Sequence, residues 1–501
     1  MRLRRSGPIL IALALAAASC SILQTSSSTA PERTPAQLAA ALRLSRQEGG
    51  CAGHPARQPA PASAFVARDG SHLVLGGSRY RFGGANIYWL GLDENVGGIA
   101  YPTDFRIRDA LRTAADMGAT VVRSHTLGIS VGNPLSLEPS LGQFNPQAFA
   151  TIDYSIYEAC RLGIRLIIPL TDNWHYYEGS YHNFTQWLGL PSADFYSSPL
   201  AINAFEQYIK VLLTHRNPLT GLELGDDPTI MSWELGNELN GMTPSWIHTI
   251  ASYLHTLAPD QLVAAGQQYG INPATLTDPL VDIVDCHYYP PTIAGVEVAA
   301  TEATLAGKVF IAGEYGSIYA NAALFRAMES DTHVSGAAFW SLFAHLDTYG
   351  YEQHNDGETL HFPGISPVMR TRDHLIRAFD YAMEDVAEPP EPAPGTPLIT
   401  VLVRTSATTT SGAGLKVAWR GTTDAATYSV EQSTTGPGGP WEVVCNRCAT
   451  DDSTPWLESR VPAGSAWYRV AGFNEQGVSG PWSPVDELPA SGAAPDPPAG
   501  T

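Results

Sequence analysis

The sequence predicts an α/β chain that forms a (β/α)8 TIM barrel followed by a small all-β sandwich domain. Three observations support this prediction: eight short apolar runs alternate with helix-length segments, a Pro-rich stretch follows the last helix, and the residues beyond it alternate with a period of two. The length of 501 residues suits one barrel, which commonly takes roughly 250 to 400 residues, together with one smaller domain.

The apolar runs are nearly continuous, as expected for strands that are buried on both faces of a parallel sheet. They begin at Tyr80, Ala119, Ile164, Thr229, Gln261, Val281, Lys308 and Val334. A hairpin-like lead-in over 65–77 precedes the first run, and helical stretches such as 104–117 and 149–162 lie between later runs. An open doubly wound sheet would normally carry a glycine-rich phosphate turn after its first strand. Here Trp89-Leu90-Gly91 follows instead, which favours a closed barrel.

The N-terminal residues have the layout of a secretory signal, because three arginines within the first five residues precede a short apolar run. That run closes on Ala17-Ala18-Ser19-Cys20, which resembles a bacterial lipobox. Two outcomes stay open: Cys20 becomes a lipidated N-terminus that tethers the chain to a membrane, or the signal is cleaved in the ordinary way. We therefore expect a secreted or cell-surface protein, with a lipid anchor in the bacterial envelope if Cys20 is modified.

Composition sets the remaining boundaries of the chain. We predict a signal segment over 1–20, a Ser/Pro/Ala-rich linker over 21–64, a catalytic domain over 65–385, a Pro-rich linker over 386–397, a β-sandwich over 398–488 and a disordered tail over 489–501.

Charge and cysteine content restrict the partners. The net charge of −20 opposes binding to nucleic acid and to anionic lipid surfaces. Cys445 and Cys448 form a CxxC pair with no second pair to complete a zinc site, so we expect either a local disulfide or two free thiols. Cys160 and Cys286 are expected to be buried thiols. We expect a monomer with no metal and no cofactor.

Polar side chains close most of the apolar runs, where a barrel of this type opens onto its site. They are Arg123, His125, Asn173, Trp174, Asn237, Glu238, His287, Tyr289, Glu314 and Trp340. Two of them are glutamates on the fourth and seventh strands, three steps of about 45° apart around the ring, so they should face each other across the mouth. A facing carboxylate pair is what glycosidic-bond cleavage requires. A single glutamate at a strand end is more often a solvated loop charge than a catalyst, so the prediction depends on the combination of two glutamates with aromatic and amide neighbours.

Four strings carry a family resemblance: TIMSWELGNEL around Asn237-Glu238, HYYP around His287, KVFIAGEYG around Glu314 and AAFWS around Trp340. They resemble glycoside hydrolase family 5, whose members are retaining (β/α)8 enzymes. The lead-in and the segment IIPLTDNW resemble in particular its endo-β-1,4-mannanase branch. The resemblance covers about 65–381.

The resemblance implies that Glu238 is the general acid/base and Glu314 the nucleophile. The implied substrate-binding set is Arg123, Asn173, Trp174, Asn237, His287, Tyr289 and Trp340. Within this set, Asn237 would bind the sugar 2-hydroxyl, Arg123 and Tyr289 would orient Glu314, His287 would lie near the acid/base, and Trp340 would stack on the cleaved sugar. We expect burial to raise the pKa of Glu238 and Arg123 to lower that of Glu314.

The predicted function is therefore retaining cleavage of β-1,4-mannosidic bonds in mannan-type polysaccharides, by an endo-acting glycoside hydrolase. Its loops depart from the mannanase pattern at Ser124-His125 and over 175–179 and 349–356, so a cellulase or an exo-β-mannosidase of the same family is the alternative. Outside the enzymes, a catalytically silent surface polysaccharide-binding protein is the rival.

Two further patterns bear on function. Gly128-Ile129-Ser130-Val131-Gly132 matches the G-x-S-x-G elbow of serine esterases, but that motif requires a following helix, and a Pro-rich loop is expected here instead. Residues 398–488 resemble a fibronectin type III domain, with Trp419 as a core residue.

Overall fold

The computed structural model describes residues 64–405, 414–452, 455–458 and 461–490. The predicted signal segment, Cys20, nearly all of the first linker and the end of the predicted tail lie outside these residues. Within the described part of the chain, no helix has both the length and the apolar character needed to cross a membrane.

Eight parallel strands close into a barrel in which β4 to β11 follow one another around the ring and β11 pairs back onto β4. They are β4 (Phe82–Asn86), β5 (Val121–Arg123), β6 (Arg165–Pro169), β7 (Ile230–Glu234), β8 (Leu262–Gln268), β9 (Ile283–Tyr288), β10 (Val309–Gly316) and β11 (Val334–Trp340). Every predicted apolar run overlaps one of these strands. The predicted barrel is therefore confirmed.

Helices follow the strands and cover the outside of the barrel. They are α1 (Asp104–Asp116), α2 (Phe149–Leu162), α3 (Tyr181–Trp187), α4 (Pro199–Leu213), α5 (Pro244–Leu257), α6 (Pro273–Thr277), α7 (Ile293–Leu305), α8 (Ala322–Ser330) and α9 (Pro367–Met383). Local sequence explains their ends: the Thr103 side chain accepts a hydrogen bond from the Arg106 N–H at the start of α1, and Gly163 ends α2 with φ of 72°.

The lead-in forms a three-stranded antiparallel sheet of β1 (Ala67–Asp69), β2 (His72–Leu75) and β3 (Ser78–Tyr80). This sheet covers one end of the barrel, where Leu73 and Phe82 join the inward-facing residues of the strands in one apolar cluster. The Phe82 ring fills the space beside Gly336, where an added Cβ would lie 2.1 Å from it. The amino-terminal end of the barrel is therefore packed shut, and the site lies at the carboxyl ends of the strands.

The C-terminal part consists of two antiparallel sheets, one of β12, β13 and β16 and one of β14, β15, β17, β18 and β19. The strands are β12 (Leu398–Thr405), β13 (Gly414–Arg420), β14 (Thr427–Ser433), β15 (Glu442–Ala449), β16 (Trp456–Glu458), β17 (Ala466–Phe473), β18 (Ser479–Trp482) and β19 (Asp486–Leu488). Trp419 is fully buried in their shared apolar core, as predicted.

The cysteines differ in part from the expectation. Cys445 and Cys448 form a disulfide, which selects one of the two predicted outcomes. Cys286 is a buried free thiol, as predicted. Cys160 is disulfide-bonded, so the prediction of a free buried thiol at this position is wrong. Its helical apolar pattern indicated burial but carried no information about disulfide bonding.

Candidate active site

The two predicted catalytic glutamates reach the same place by different local structures. Glu314 lies within β10, whereas Glu238 lies four residues beyond the end of β7 in a left-handed conformation with φ of 52°. A non-glycine residue rarely adopts this conformation unless its surroundings hold it there, and such residues concentrate at functional sites. One carboxylate oxygen of each glutamate and the Nδ1 atom of His287 all lie within 4.8 Å of one another.

Glu314 is surrounded by donors and cations. Arg123 Nη1 donates to its Oε1 at 2.6 Å, and the Tyr289 hydroxyl donates to its Oε2 at 2.7 Å. Burial raises the pKa of Glu314, but the positive charge of His287, the hydrogen bond from His125 and the charge of Arg123 outweigh it and hold the pKa below its usual range. Glu314 is therefore an ionised carboxylate at neutral pH, as a nucleophile must be.

Glu238 has a different set of neighbours. The indole N–H of Trp174 donates to its Oε2 at 2.6 Å, and His287 Nδ1 lies 2.9 Å from its Oε1. His287 Nδ1 also lies 3.5 Å from Glu314 Oε2, so this ring stands between the two carboxylates. The guanidinium of Arg123 thus contacts only one of the two glutamates directly, which makes their environments unequal.

A buried charge network lies behind the glutamates. Arg123 pairs with both oxygens of Glu234 at 2.9 and 3.1 Å, and it donates to Asn237 Oδ1 at 2.8 Å. Its Nε atom lies 3.7 Å from Asp285. An added Cβ at Gly266 would lie 1.6 Å from Glu234 Oε1, so the absence of a side chain there makes room for this carboxylate.

Arg123 and His287, which were predicted to orient Glu314 and to lie near the acid/base, are fully buried and do not line the cavity. Both contact the catalytic glutamates from the buried side of the cavity wall. Asn173 does not line the cavity either, because its side-chain oxygen accepts a hydrogen bond from the Asn240 N–H at 3.3 Å. The predicted residues that do reach the cavity are Trp174, Asn237, Glu238, Tyr289, Glu314 and Trp340.

The cavity itself measures about 290 Å³. Residues that line it but were not in the predicted binding set are Tyr88, Glu94, His125, Tyr176, Tyr177, Glu178, Gln268, His354 and Asp356. The departures noted in the loops over 175–179 and 349–356 were the only sequence signal for five of them. Tyr88 lies two residues beyond the first barrel strand, and its ring stacks on Trp340 with centroids 5.2 Å apart and planes 13° apart.

His125 takes the position after strand two at which the sequence departs from the mannanase pattern. Its Nε2 atom lies 2.9 Å from Arg123 Nη1 and 3.4 Å from Glu314 Oε1, while its Nδ1 atom lies 3.8 Å from Glu178. Burial lowers the pKa of His125, but hydrogen bonding to Glu178 and Glu314 outweighs it and raises the pKa to about 9. A third positive charge, in addition to those of Arg123 and His287, therefore lies beside Glu314.

Several clusters of histidine and carboxylate atoms are compact enough to hold a metal ion. In the cluster of Glu234, Asp285 and His287, however, the guanidinium of Arg123 already occupies the position of a cation. Glu238 and Glu314 likewise already accept hydrogen bonds from Trp174 and Tyr289. The carboxylate oxygens at the centre of the site are thus already paired with protein cations or with N–H and O–H donors.

The esterase motif is not a nucleophile elbow. Ser130 is buried, and its hydroxyl oxygen accepts a hydrogen bond from the Leu137 N–H at 2.8 Å. Residues 133–145 after the motif form a loop before the next helical turn begins at Pro146, as predicted. A strand, a tight turn and a helix do not follow one another here, which removes the structural basis for a serine esterase.

Comparison with known proteins agrees with this geometry. Residues 63–276 match a family model described as glycoside hydrolase family 5, β-mannosidase-like. Mannan endo-1,4-beta-mannosidase 1 of Arabidopsis thaliana is 32% identical over 257 residues, which are 46% of this chain and 61% of that protein. The comparisons support a family 5 mannanase-like barrel.

One further relative and one solved structure also match this chain. Mannan endo-1,4-beta-mannosidase 1 of Oryza sativa subsp. japonica is 29% identical over 386 residues, covering 62% of this chain and 86% of that protein. The X-ray structure of the endo-beta-1,4-mannanase from Thermotoga petrophila superposes with a TM-score of 0.53 at 20% identity, covering 82% of this chain and 98% of the other, which supports the fold alone. The chain spans between about half and three fifths of the length of the first curated relatives that it matches.

Proposed function

We propose that this protein is a retaining glycoside hydrolase that cleaves β-1,4-mannosidic bonds within mannan-type polysaccharides. The observation that carries the proposal is the placement of Glu238 and Glu314, whose nearest oxygens come within 4.8 Å of each other across His287. Retaining glycosidases keep their two carboxyl groups about 5 to 5.5 Å apart, whereas inverting enzymes need about 6.5 to 9.5 Å to accommodate a water molecule. The short separation therefore favours double displacement.

The comparisons add the substrate class. The two curated relatives named above are mannan endo-1,4-beta-mannosidases. The family match over 63–276 includes Glu238 but ends before Glu314, so the nucleophile assignment depends on geometry and on the motif around that residue. Together the two lines of support lead to β-mannosidic cleavage by two glutamates.

In the first step, a carboxylate oxygen of Glu314 attacks the anomeric carbon while Glu238 protonates the departing glycosidic oxygen. The carbon–oxygen bond to the leaving sugar breaks, and an ester between the sugar and Glu314 forms. Arg123 and Tyr289 hold the two Glu314 oxygens at 2.6 and 2.7 Å, which fixes the attacking atom and keeps it ionised. Trp174 fixes the carboxyl group of Glu238 in the same way at 2.6 Å.

In the second step, Glu238 is the base that removes a proton from water. The resulting hydroxide equivalent attacks the anomeric carbon, the ester to Glu314 breaks, and both glutamates return to their starting states. His287 lies within 3.5 Å of both carboxylates, and burial lowers its pKa less than the charges of Glu314 and Asp285 raise it. The positive charge of His287 stabilises the ionised nucleophile.

A neutral polysaccharide needs stacking surfaces and hydrogen bonds rather than opposite charge. The parallel pair of Trp340 and Tyr88 presents such a surface in the cavity wall, and Trp174 and Tyr176 are exposed on the opposite loop. The Asn237 amide is held from both ends, by Arg123 at 2.8 Å and by Asp172 Oδ1 at 3.2 Å. This fixed amide in the cavity wall suits recognition of a sugar hydroxyl.

The decisive experiment replaces each glutamate. Glu238→Ala and Glu314→Ala should each abolish turnover of an aryl β-mannoside. Azide should restore turnover to Glu238→Ala with β-mannosyl azide as the product, because azide then attacks the Glu314 ester from the face that water uses. Any azide product of Glu314→Ala should instead be α-mannosyl azide, because azide then attacks the substrate in place of the missing carboxylate. Glu302→Ala, an exposed change on α7, is the matched control and should retain full activity. Full activity in Glu314→Ala would refute the assignment.

Endo action and sugar preference are tested on mannan, glucomannan, cellulose and aryl mannosides. A rapid fall in mannan viscosity relative to the release of reducing ends supports endo cleavage. Release of single mannose units at constant viscosity would instead identify an exo-β-mannosidase, and preference for cellulose would identify a cellulase.

A further inference from the structure

One long loop connects the active-site cavity with the C-terminal sheets. Residues 341–366 join β11 to α9, and we call this segment the β11–α9 loop. Its later part supplies His354 and Asp356 to the cavity wall. Its earlier part, around His345 and Thr348, contacts the C-terminal sheets. A displacement of this loop at the C-terminal sheets can therefore move the residues that it places in the cavity wall.

At the cavity, the loop holds the aromatic surface in place. The indole N–H of Trp340 donates to Asp356 Oδ2 at 2.6 Å. His354 Nδ1 lies 3.0 Å from the Tyr88 hydroxyl and 2.9 Å from Asn95 Oδ1. The stacked pair of Trp340 and Tyr88 thus receives one polar contact each from the β11–α9 loop. The position of this pair depends on where the loop lies.

At the domain contact, His345 is a buried cation between two carboxylates. Its Nδ1 atom lies 2.8 Å from Asp109 Oδ2 of α1, and its Nε2 atom lies 3.2 Å from Asp451 Oδ2, which follows β15 in the C-terminal part. Burial lowers the pKa of His345, but the two aspartates outweigh it and raise the pKa to about 10. The Tyr428 hydroxyl donates to the same Asp451 oxygen at 2.8 Å, which fixes the carboxylate.

Closely packed residues connect the contact at His345 with the part of the loop that lines the cavity. An added Cβ at Gly421 would lie 2.3 Å from the His345 ring, so the two parts of the chain meet without a gap. The Tyr351 ring stacks between His345 and His361, at centroid distances of 4.2 and 4.4 Å. The next residue, Glu352, forms a buried ion pair with Arg106 of α1. Only one residue separates Glu352 from His354.

We infer that the C-terminal sheets position the proposed active site, because their contact with His345 and Thr348 fixes the β11–α9 loop and, through it, Asp356 and His354 against the sugar-stacking pair. His345 and Asp451 position the β11–α9 loop and do not contact substrate, since neither lines the cavity. The inference rests on the proposed function for its kinetic consequence. It differs from a spacer role, in which a C-terminal domain would contribute only distance between the barrel and whatever it is attached to.

The test uses full-length Asp451→Asn, which keeps the shape of the side chain and removes its charge. Hydrogen–deuterium exchange of peptides from 341–366 should be at least fivefold faster than in the unchanged protein. KM for an aryl β-mannoside should rise about three- to tenfold with a smaller change in kcat, because the stacking surface shifts while both glutamates remain. Glu431→Gln is the matched control, since its carboxylate pairs with Arg469 inside one C-terminal sheet at 2.6 Å. It should change neither quantity.

A second variant distinguishes loss of the loop contact from a folding defect in Asp451→Asn. Thr400→Val removes only the hydrogen bond from the Thr400 hydroxyl to the Thr348 carbonyl oxygen, which is 2.6 Å long and exposed. It should give the same changes in exchange and KM at smaller amplitude. A double change of Asp451→Asn with Asp356→Asn should raise KM by less than the product of the two single effects, because both act on Trp340.

Three results would overturn the inference: unchanged loop exchange in both folded variants, faster exchange with unchanged KM, or effects on KM that multiply in the double variant. Failure of the proposed function is distinguishable, because the unchanged protein would then not hydrolyse β-mannosides. In that case, exchange at 352–358 in Asp451→Asn still decides whether the C-terminal contact controls the cavity wall.

Discussion

Tyr289→Phe isolates one hydrogen bond to the proposed nucleophile. The Tyr289 hydroxyl donates to Glu314 Oε2 at 2.7 Å, and the change removes this donor while keeping the ring. A hydrogen bond to a charged group contributes about 1.5 to 3 kcal/mol, and each 1.36 kcal/mol corresponds to a factor of ten in rate. If this bond orients the attacking oxygen in the transition state, kcat/KM should fall by about 10- to 150-fold.

The assay is initial-rate hydrolysis of an aryl β-mannoside, with thermal unfolding measured in parallel to show that the variant is folded. Tyr269→Phe is the matched control, because its hydroxyl donates to the Tyr289 carbonyl oxygen at 3.1 Å and does not line the cavity. It should change kcat/KM by less than about twofold, since exposed hydrogen bonds contribute little. An activity in Tyr289→Phe within twofold of the unchanged protein would refute the proposed role of this bond.

Three further predictions concern the acid/base residue and the dependence of stability on pH. Trp174→Phe removes the 2.6 Å indole donor to Glu238 and should lower kcat/KM about tenfold or more in the same assay; an unchanged value would contradict the role. Burial lowers the pKa of His361 to about 4 from 6.5, so stability should fall as pH drops from 6.5 towards 4, by about 3 kcal/mol, and His361→Gln should flatten the melting temperature over this range. The pKa of His345 is about 10 because its two aspartate partners outweigh burial, so its contribution is complete below pH 6.5 and lost as pH rises towards 10. His345→Gln should flatten the melting temperature between pH 6.5 and 10, and a slope equal to that of the unchanged protein would contradict the assignment.

The barrel could be predicted from the sequence because its strands are continuous apolar runs, which can be recognised without any tertiary information. The strand-end rule then found both glutamates, although Glu238 lies four residues beyond β7. It could not find Glu234 or Asp285, because a charged residue inside an apolar run gives no sign of the buried Arg123 that contacts it. Partners across a barrel are set by which strands face each other, and single-sequence periodicity does not contain that information.

Loop residues were predicted less well for a related reason. Asn173 and Trp174 are adjacent in sequence, yet only the indole reaches the cavity, because side-chain direction in a loop follows local turns and tertiary contacts. His354 and Asp356 belong to a long aperiodic loop whose position is set by contacts with distant parts of the chain. His345 and Asp451, for example, are 106 residues apart in sequence. The sequence indicated that these loops matter but not which of their residues face the site.

In the proposed mechanism, Glu314 forms a covalent bond to the sugar while Glu238 transfers protons. The most direct measurement is peptide mass spectrometry after reaction with 2-deoxy-2-fluoro-β-mannosyl fluoride, which forms the ester quickly and hydrolyses it slowly. We expect one fluoromannosyl adduct on the peptide that contains Glu314, with NMR showing the β-anomer as the first product of normal turnover. An adduct on Glu238, or no adduct together with the α-anomer as first product, would contradict it.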